Sequence, residues 1–416
     1  METLSLLLIA LAGLAYGLVS GALAKSIITG PMVFTAVGFL LHRAGLLHIE
    51  GVEEGVKLLA EATLVVVLFA DAVRIDLRRL RQDHNLPFRM LVFGLPLGIL
   101  IGTVVAMVLW PEVSLWQAAV LSAILVPTDA ALGQAVVTMK AVPVRLRQAL
   151  NVESGLNDGI ALPFVLVAAS IASEHATGSA EWLRFGLLQM TLGPLAGIVV
   201  GFLGGRLVDH AVGKKWCEED FEGILLLALP VIAYLGAELI GGNGFLASFV
   251  TGIVFRAVAR DRCHPVVTFV ENEGQLLVLA TFVLFGALML PELAGISDPR
   301  IWLYAVLSLT VIRLSAIGLS LIGSGLGGSS VLFLGWFGPR GLASILYVIL
   351  VLRSYDVSNA HQINQVVIAT VLLSILAHGI SAVPAAKALG RAADRWRVQQ
   401  PECHELMDVP EMPTRG

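Results

Sequence analysis

Apolar runs bounded by charge, proline or glycine recur along the whole chain. They lie near residues 4–22, 29–41, 54–73, 89–110, 115–138, 146–171, 183–205, 221–240, 243–259, 270–290, 300–322, 329–352 and 362–386. A helix that crosses a bilayer needs about 20 apolar residues. The pattern therefore predicts an all-α polytopic membrane protein of about thirteen transmembrane helices. Its weakest elements are the short run at 29–41 and the pair split at Gly241-Gly242-Asn243-Gly244.

Composition narrows the class further. The 416 residues are 57% hydrophobic and 14% charged, with a mean hydropathy of +0.85. Soluble domains are about 45–50% apolar and about 25% charged. So few charges cannot clothe a soluble protein of this length, which excludes a soluble enzyme, a disordered chain and a nucleic-acid binder. Residues 1–386 are expected to form a single transmembrane domain, and 387–416 a short cytoplasmic tail. Met1-Glu2-Thr3 leads straight into an apolar run without a basic flank or small-residue cleavage site, so a cleaved signal peptide is not expected. Cys217, Cys263 and Cys403 match no metal spacing and are read as free thiols.

The loop charges orient the chain. With the N-terminus outside, inward loops hold Lys25, Arg74, Arg78, Arg79, Arg81, Arg89, Lys140, Arg145, Arg147, Arg206, Lys214, Lys215, Arg256, Arg260 and Arg262. Lys387, Arg391, Arg395 and Arg397 follow in the tail. Only Arg43, Arg184, Arg300 and Arg353 fall in outward loops, with Lys57 at a helix mouth. Such asymmetry is what the positive-inside rule describes, and it places the C-terminus in the cytoplasm of a cell bounded by an inner membrane. Arg415 lies at the extreme end of the tail, and only Arg313 and Arg340 remain, both inside apolar runs.

Three membrane runs carry polar groups that are costly to bury. In the fifth, Pro127 precedes Thr128 and Asp129 and disfavours helix at Val126, which predicts an interrupted helix at mid-membrane. Asp129 either caps the second half-helix or belongs to the site that such a break lines. In the sixth, Asn151-Val-Glu-Ser-Gly-Leu-Asn-Asp-Gly159 places Glu153 with Asn157 on one face and Ser154 with Asp158 on the next. This is either a structural polar network or an oxygen-rich cation site. A carboxylate holding a proton or a cation, but not both, is the minimal part for exchange.

In the twelfth run, Pro339 breaks the helix beside Arg340. The two breaks fall at matching positions of two six-helix halves, about 4–171 and 221–386, with 183–205 as a linker helix. An odd linker inverts the second half, and paired broken helices in inverted repeats point to a transporter's substrate site. Asp129 and Arg340 would each balance a half-helix dipole. Arg313 needs a carboxylate partner, and Glu153 is the candidate, which would leave Asp158 as the titrating group.

Other features have plainer readings. Gly193, Gly197, Gly201 and Gly205 form a close-packing stripe. His378 is read as a packing histidine rather than a proton relay. Asp71, Glu238, Asn243, Glu271 and Glu273 are assigned to helix mouths, where solvation is cheap, and His404-Glu405 in the tail matches no motif.

Glu153-Ser-Gly-Leu-Asn-Asp-Gly-Ile-Ala161 resembles the Glu-Ser-x-x-Asn-Asp-Gly signature of the NhaP-like sodium/proton exchangers of the cation/proton antiporter-1 family. Pro127-Thr-Asp resembles their Thr-Asp-Pro crossing helix, and Gly338-Pro-Arg-Gly341 their Gly-x-Arg-Gly. Gly242-Asn-Gly-Phe-Leu-Ala-Ser-Phe-Val-Thr-Gly252 is similar to a glycine-rich stretch of the same family. The resemblance implies thirteen helices in inverted repeats, a homodimer, and electroneutral exchange of Na+ (or K+ or Li+) for H+ with no cofactor. By matching position, Asp158 would bind cation and proton alternately, with Thr128 and Ser154 as further ligands and Asn157 in support. Glu153 would pair with Arg313, while Asp129 and Arg340 would balance the half-helices. Two departures stand out: Ala130 where the family often has proline, and Gly155 where it has a larger residue, which would widen the site. The expected function is secondary cation/proton antiport rather than enzymatic catalysis. A cation channel or cation-coupled symporter would use the same carboxylates.

Overall fold

The computed structural model describes residues 2–23, 26–46, 53–75, 85–173, 179–259, 264–399 and 404–406. Among them every regular element is helical, apart from one isolated antiparallel bridge between Ser173 and Val357. The helices are α1 (Glu2–Leu23), α2 (Gly30–Arg43), α3 (Glu53–Arg74), α4 (Asn85–Leu109), α5 (Leu115–Leu125), α6 (Ala130–Thr138), α7 (Val144–Ala172) and α8 (Ser179–Gly213). They continue as α9 (Glu219–Leu239), α10 (Gly244–Ala259), α11 (His264–Leu284), α12 (Pro299–Ser320), α13 (Gly328–Trp336), α14 (Leu342–Ser354) and α15 (Ala360–Gln399). Among the described residues, six helical stretches are long and apolar enough to cross a membrane, and several shorter ones are equally apolar.

The fifth and twelfth apolar runs are each two helices. A Ser114 capping box, with Gln117 at its third position, starts α5. Pro127 then supplies no N–H to continue it, and α6 begins only at Ala130. In the same way α13 stops at Trp336 and α14 starts at Leu342, with the Gly-Pro-Arg-Gly link extended between them. Helix α15 runs on past the apolar run that predicts it, because its basic end continues the backbone ladder after the hydrophobic signal has stopped.

The glycine stripe of α8 packs on α10. A Cβ at Gly201 would stand 2.8 Å from the Thr251 carbonyl oxygen, and Thr251 Oγ1 donates to the Gly197 carbonyl at 3.2 Å. This is the close approach that small residues permit. One large apolar cluster joins α3, α5, α7, α12, α14 and α15. A second, around Val136, Leu146, Leu150, Phe333 and Phe337, fills the end where α6 stops and α7 starts. The crossing of the two interrupted helices lies between them.

Two residues assigned to helix mouths are interior. Asp71 is 2% exposed and pairs with Arg74 at 3.2 Å, and Asn243 is 6% exposed, capping the start of α10 through Leu246 N at 2.9 Å. Both sit at helix ends in sequence, but neighbouring helices cover those ends. Glu238 is exposed, and the side chains of Glu271 and Glu273 lie outside the described residues. So do Cys263, Cys403, Lys25, Arg78, Arg79, Arg81, Arg260 and Arg262, while Cys217 is a free thiol.

Candidate functional site

Pro127 and Pro339 expose backbone groups at mid-helix, and each break satisfies the other. The Asp129 amide donates to the Pro339 carbonyl at 2.7 Å. The Asp129 carboxylate reaches over to the second pair, accepting from the Leu342 amide at 2.8 Å, so it caps α14. In return, Arg340 Nη1 donates to the Val126 and Pro127 carbonyls at the C-terminal end of α5. Ser344 Oγ adds a bond to the Ile124 carbonyl at 2.8 Å. An acid thus sits at N–H groups and a base at carbonyls, the favourable sense for both half-helix dipoles. Arg340 is 1% exposed and Asp129 4%.

Helix α7 lies against this crossing and brings its polar turn to it. Thr128 Oγ1 is 3.0 Å from Ser154 Oγ and accepts from Asn157 Nδ2 at 2.5 Å. The other amide atom, Asn157 Oδ1, is buried without a hydrogen-bond partner among the described residues. Asp158 is buried beside them, and its backbone carbonyl accepts from Tyr347 Oη of α14 at 2.6 Å. Glu153 faces α12 instead: both its oxygens meet the Arg313 guanidinium, at 2.5 and 2.7 Å.

The expected residues therefore separate into three linked groups. Thr128, Ser154 and Asn157 form a hydrogen-bonded cluster, with the buried Asp158 next in the chain to Asn157; Glu153 and Arg313 form a buried ion pair; Asp129 and Arg340 tie the crossing. Gly155 does not open onto the centre. A Cβ there would meet Ile75 at 3.4 Å and the Asp71 carbonyl oxygen at 3.8 Å, so the glycine admits α3 instead of widening the site. A small pocket beside Ser154 is lined by Gly133, Val137, Leu150, Asn151 and Pro339.

Sequence reasoning did not foresee Tyr347, Ser344 or Ser374, whose hydroxyls complete the crossing. Nor did it bring Asp71 inward. Their only signal is a polar atom within an apolar run, which any hydroxyl satisfied by its own helix would also give.

A family model described as "Sodium/hydrogen exchanger, transmembrane" matches residues 4–388. A probable Na+/H+ antiporter of Schizosaccharomyces pombe is 27% identical over 317 residues, covering 71% of this chain and 41% of that protein. A K+/H+ antiporter NhaP of Alkalimonas amylolytica is 25% identical over 400 residues, covering 93% of this chain and 67% of that one. The chain thus spans about two fifths of the fission-yeast relative's length. In fold, the solved sodium proton antiporter MjNhaP1 from Methanocaldococcus jannaschii superposes with a TM-score of 0.78 at 19% identity, covering 94% of this chain and 99% of that one.

Proposed function

The chain belongs to the sodium/hydrogen exchanger family, and from that premise we propose that it exchanges a monovalent cation for a proton at Asp158 by alternating access. It is an integral, multi-pass membrane protein of antiporter fold. The observation that carries the exchange reading is the centre itself. A buried carboxylate, two hydroxyls and the unpartnered Asn157 Oδ1 stand where two interrupted helices cross. Hard monovalent cations take oxygen ligands, and broken helices are tolerated at membrane depth where they line such a site.

Competition supplies the antiport logic. If Asp158 holds either H+ or the cation, with Thr128 and Ser154 as further cation ligands, one ion leaves before the other binds. The loaded site then carries the same charge with either ion, because the Glu153–Arg313 pair is internally balanced. Exchange is accordingly electroneutral.

The same reading holds residues 1–386 as one transmembrane domain of thirteen helices, inverted repeats about 4–171 and 221–386 joined by 183–205, and 387–416 as a cytoplasmic tail. It sits in the cell (inner) membrane with the N-terminus outside, and works as a homodimer. Sodium and potassium are both substrate candidates, and the relatives named above include antiporters of each. The test is pH-gradient dissipation in everted vesicles with Na+, K+ and Li+ in turn. The parent dissipates the gradient and Asp158→Asn does not. Retained exchange in that variant overturns the assignment, and cation flux without counter-flow of protons makes the protein a channel or symporter instead.

A further inference from the structure

Helix α15 holds the second break from behind, through one histidine and one serine. The α13 ladder ends at Trp336, whose carbonyl accepts from the Gly338 amide at 2.8 Å in place of a helical partner. His378 Nε2 lies 2.9 Å from that oxygen. Past Pro339, the Arg340 amide donates to Ser374 Oγ at 2.6 Å. Ser374 and His378 are one turn apart, and Ser374 Oγ lies 3.1 Å from His378 Nδ1. Both side chains are buried, at 0% and 1% exposure.

With Nε2 protonated, His378 donates to Trp336 and accepts the Ser374 hydroxyl hydrogen on Nδ1, while Ser374 accepts from Arg340. Nδ1 also lies 3.0 Å from the Ser374 carbonyl oxygen, so the ring is seated against its own helix on one edge and against Trp336 on the other. The histidine and serine together grip both ends of the extended link.

We propose that His378 is a positioning residue for the exchange reaction, fixing the cation centre through the link it holds. The connection is continuous. His378 and Ser374 place residues 336–340; the Pro339 carbonyl takes the Asp129 amide at 2.7 Å; and Thr128, next in the chain to Asp129, presents its hydroxyl to Ser154 and Asn157. A link that drifts moves Thr128 off the centre. This rests on the reading of Asp158 and Thr128 as the exchange site.

The experiment measures half-saturating Na+ (or K+), maximal rate, pH profile and melting temperature for His378→Ala, His378→Gln and Ser374→Ala in proteoliposomes. Glutamine keeps a donor for Trp336 and an acceptor for Ser374. The alanine variant raises the half-saturating cation about fivefold, the size of one lost neutral hydrogen bond. Its maximal rate changes little, and glutamine restores most of the difference. Ser374→Ala shifts the same quantity in the same direction, and it carries the test with glutamine if His378→Ala does not fold. Unchanged half-saturation in all variants overturns the proposal. So does a displaced pH profile at unchanged half-saturation, which would make His378 a proton carrier, or a loss that glutamine does not relieve and that follows melting temperature. Asp158→Asn runs alongside: activity there overturns the site reading, whereas its loss with a parent-like His378→Ala overturns this inference alone.

Discussion

Arg313 and Glu153 stand 160 residues apart in sequence and meet through two hydrogen bonds, with 5% and 3% of their side chains exposed. Each charge offsets the burial cost of the other. Removing one partner strands the other, which costs about 3–5 kcal/mol. Glu153→Ala and Arg313→Ala are therefore expected to melt well below the parent. A Glu153→Gln/Arg313→Met double variant should recover part of that loss, because no lone charge remains. Scanning thermal unfolding of purified protein reads this. Parent-like melting of Glu153→Ala with lost transport would put Glu153 in the reaction rather than in the scaffold.

The crossing itself makes the second prediction. A Cβ at Gly341 would run into the Asp129 carboxylate that caps α14. Gly341→Ala should force that carboxylate aside and destabilise the fold by about 1–3 kcal/mol, as overpacking does. Asp129→Asn keeps an acceptor for the Leu342 amide and should melt closer to the parent than Asp129→Ala. Equal melting of the two Asp129 variants would remove capping as the role of this side chain.

Both interruptions were legible in sequence, because Pro127 and Pro339 cannot continue a ladder and each lies within an apolar run. The acid and amide residues of α7 were legible for a similar reason: 153–158 is too polar for its surroundings. What Asp129 binds was not. Capping its own half-helix and capping the other are the same residue in a one-dimensional reading, and only the crossing brings Leu342 to it. Ser374 and His378 were harder still. Thr370, one turn earlier, quiets its hydroxyl on the Val366 carbonyl at 2.7 Å, and nothing in sequence distinguishes that serine from this threonine. Asp71 was misplaced because distance from a helix end measures solvation only when no neighbour covers that end.

The hydroxyls of the centre should separate binding from folding. Thr128 and Ser154 bond to each other at 3.0 Å and to no charged group in that contact. Thr128→Val and Ser154→Ala remove oxygen ligands while nearly keeping volume. Each is expected to raise the half-saturating cation by about tenfold, with melting shifted little, since neutral hydrogen bonds contribute about 1 kcal/mol to stability. Initial rates against cation concentration in proteoliposomes decide it. Parent-like half-saturation in both variants would place the cation elsewhere.

The pH dependence follows from sharing one carboxylate. In the exchange scheme proposed above, cation binding requires Asp158 ionised, and protonation fills the same position. Below the pH at which Asp158 titrates, each unit of acidification multiplies the competing proton by ten. The half-saturating cation should therefore rise about tenfold per pH unit there, while the maximal rate at saturating cation stays level. Above that pH the half-saturation becomes flat. The return step needs the protonated carboxylate, so turnover falls again at high pH, and the rate at fixed cation is bell-shaped. Initial rates on a grid of pH and cation concentration distinguish this from regulation at a distant group. On the acid side, a distant group would lower the maximal rate and leave the half-saturating concentration alone. That outcome would separate the proton from Asp158 and end the competitive scheme.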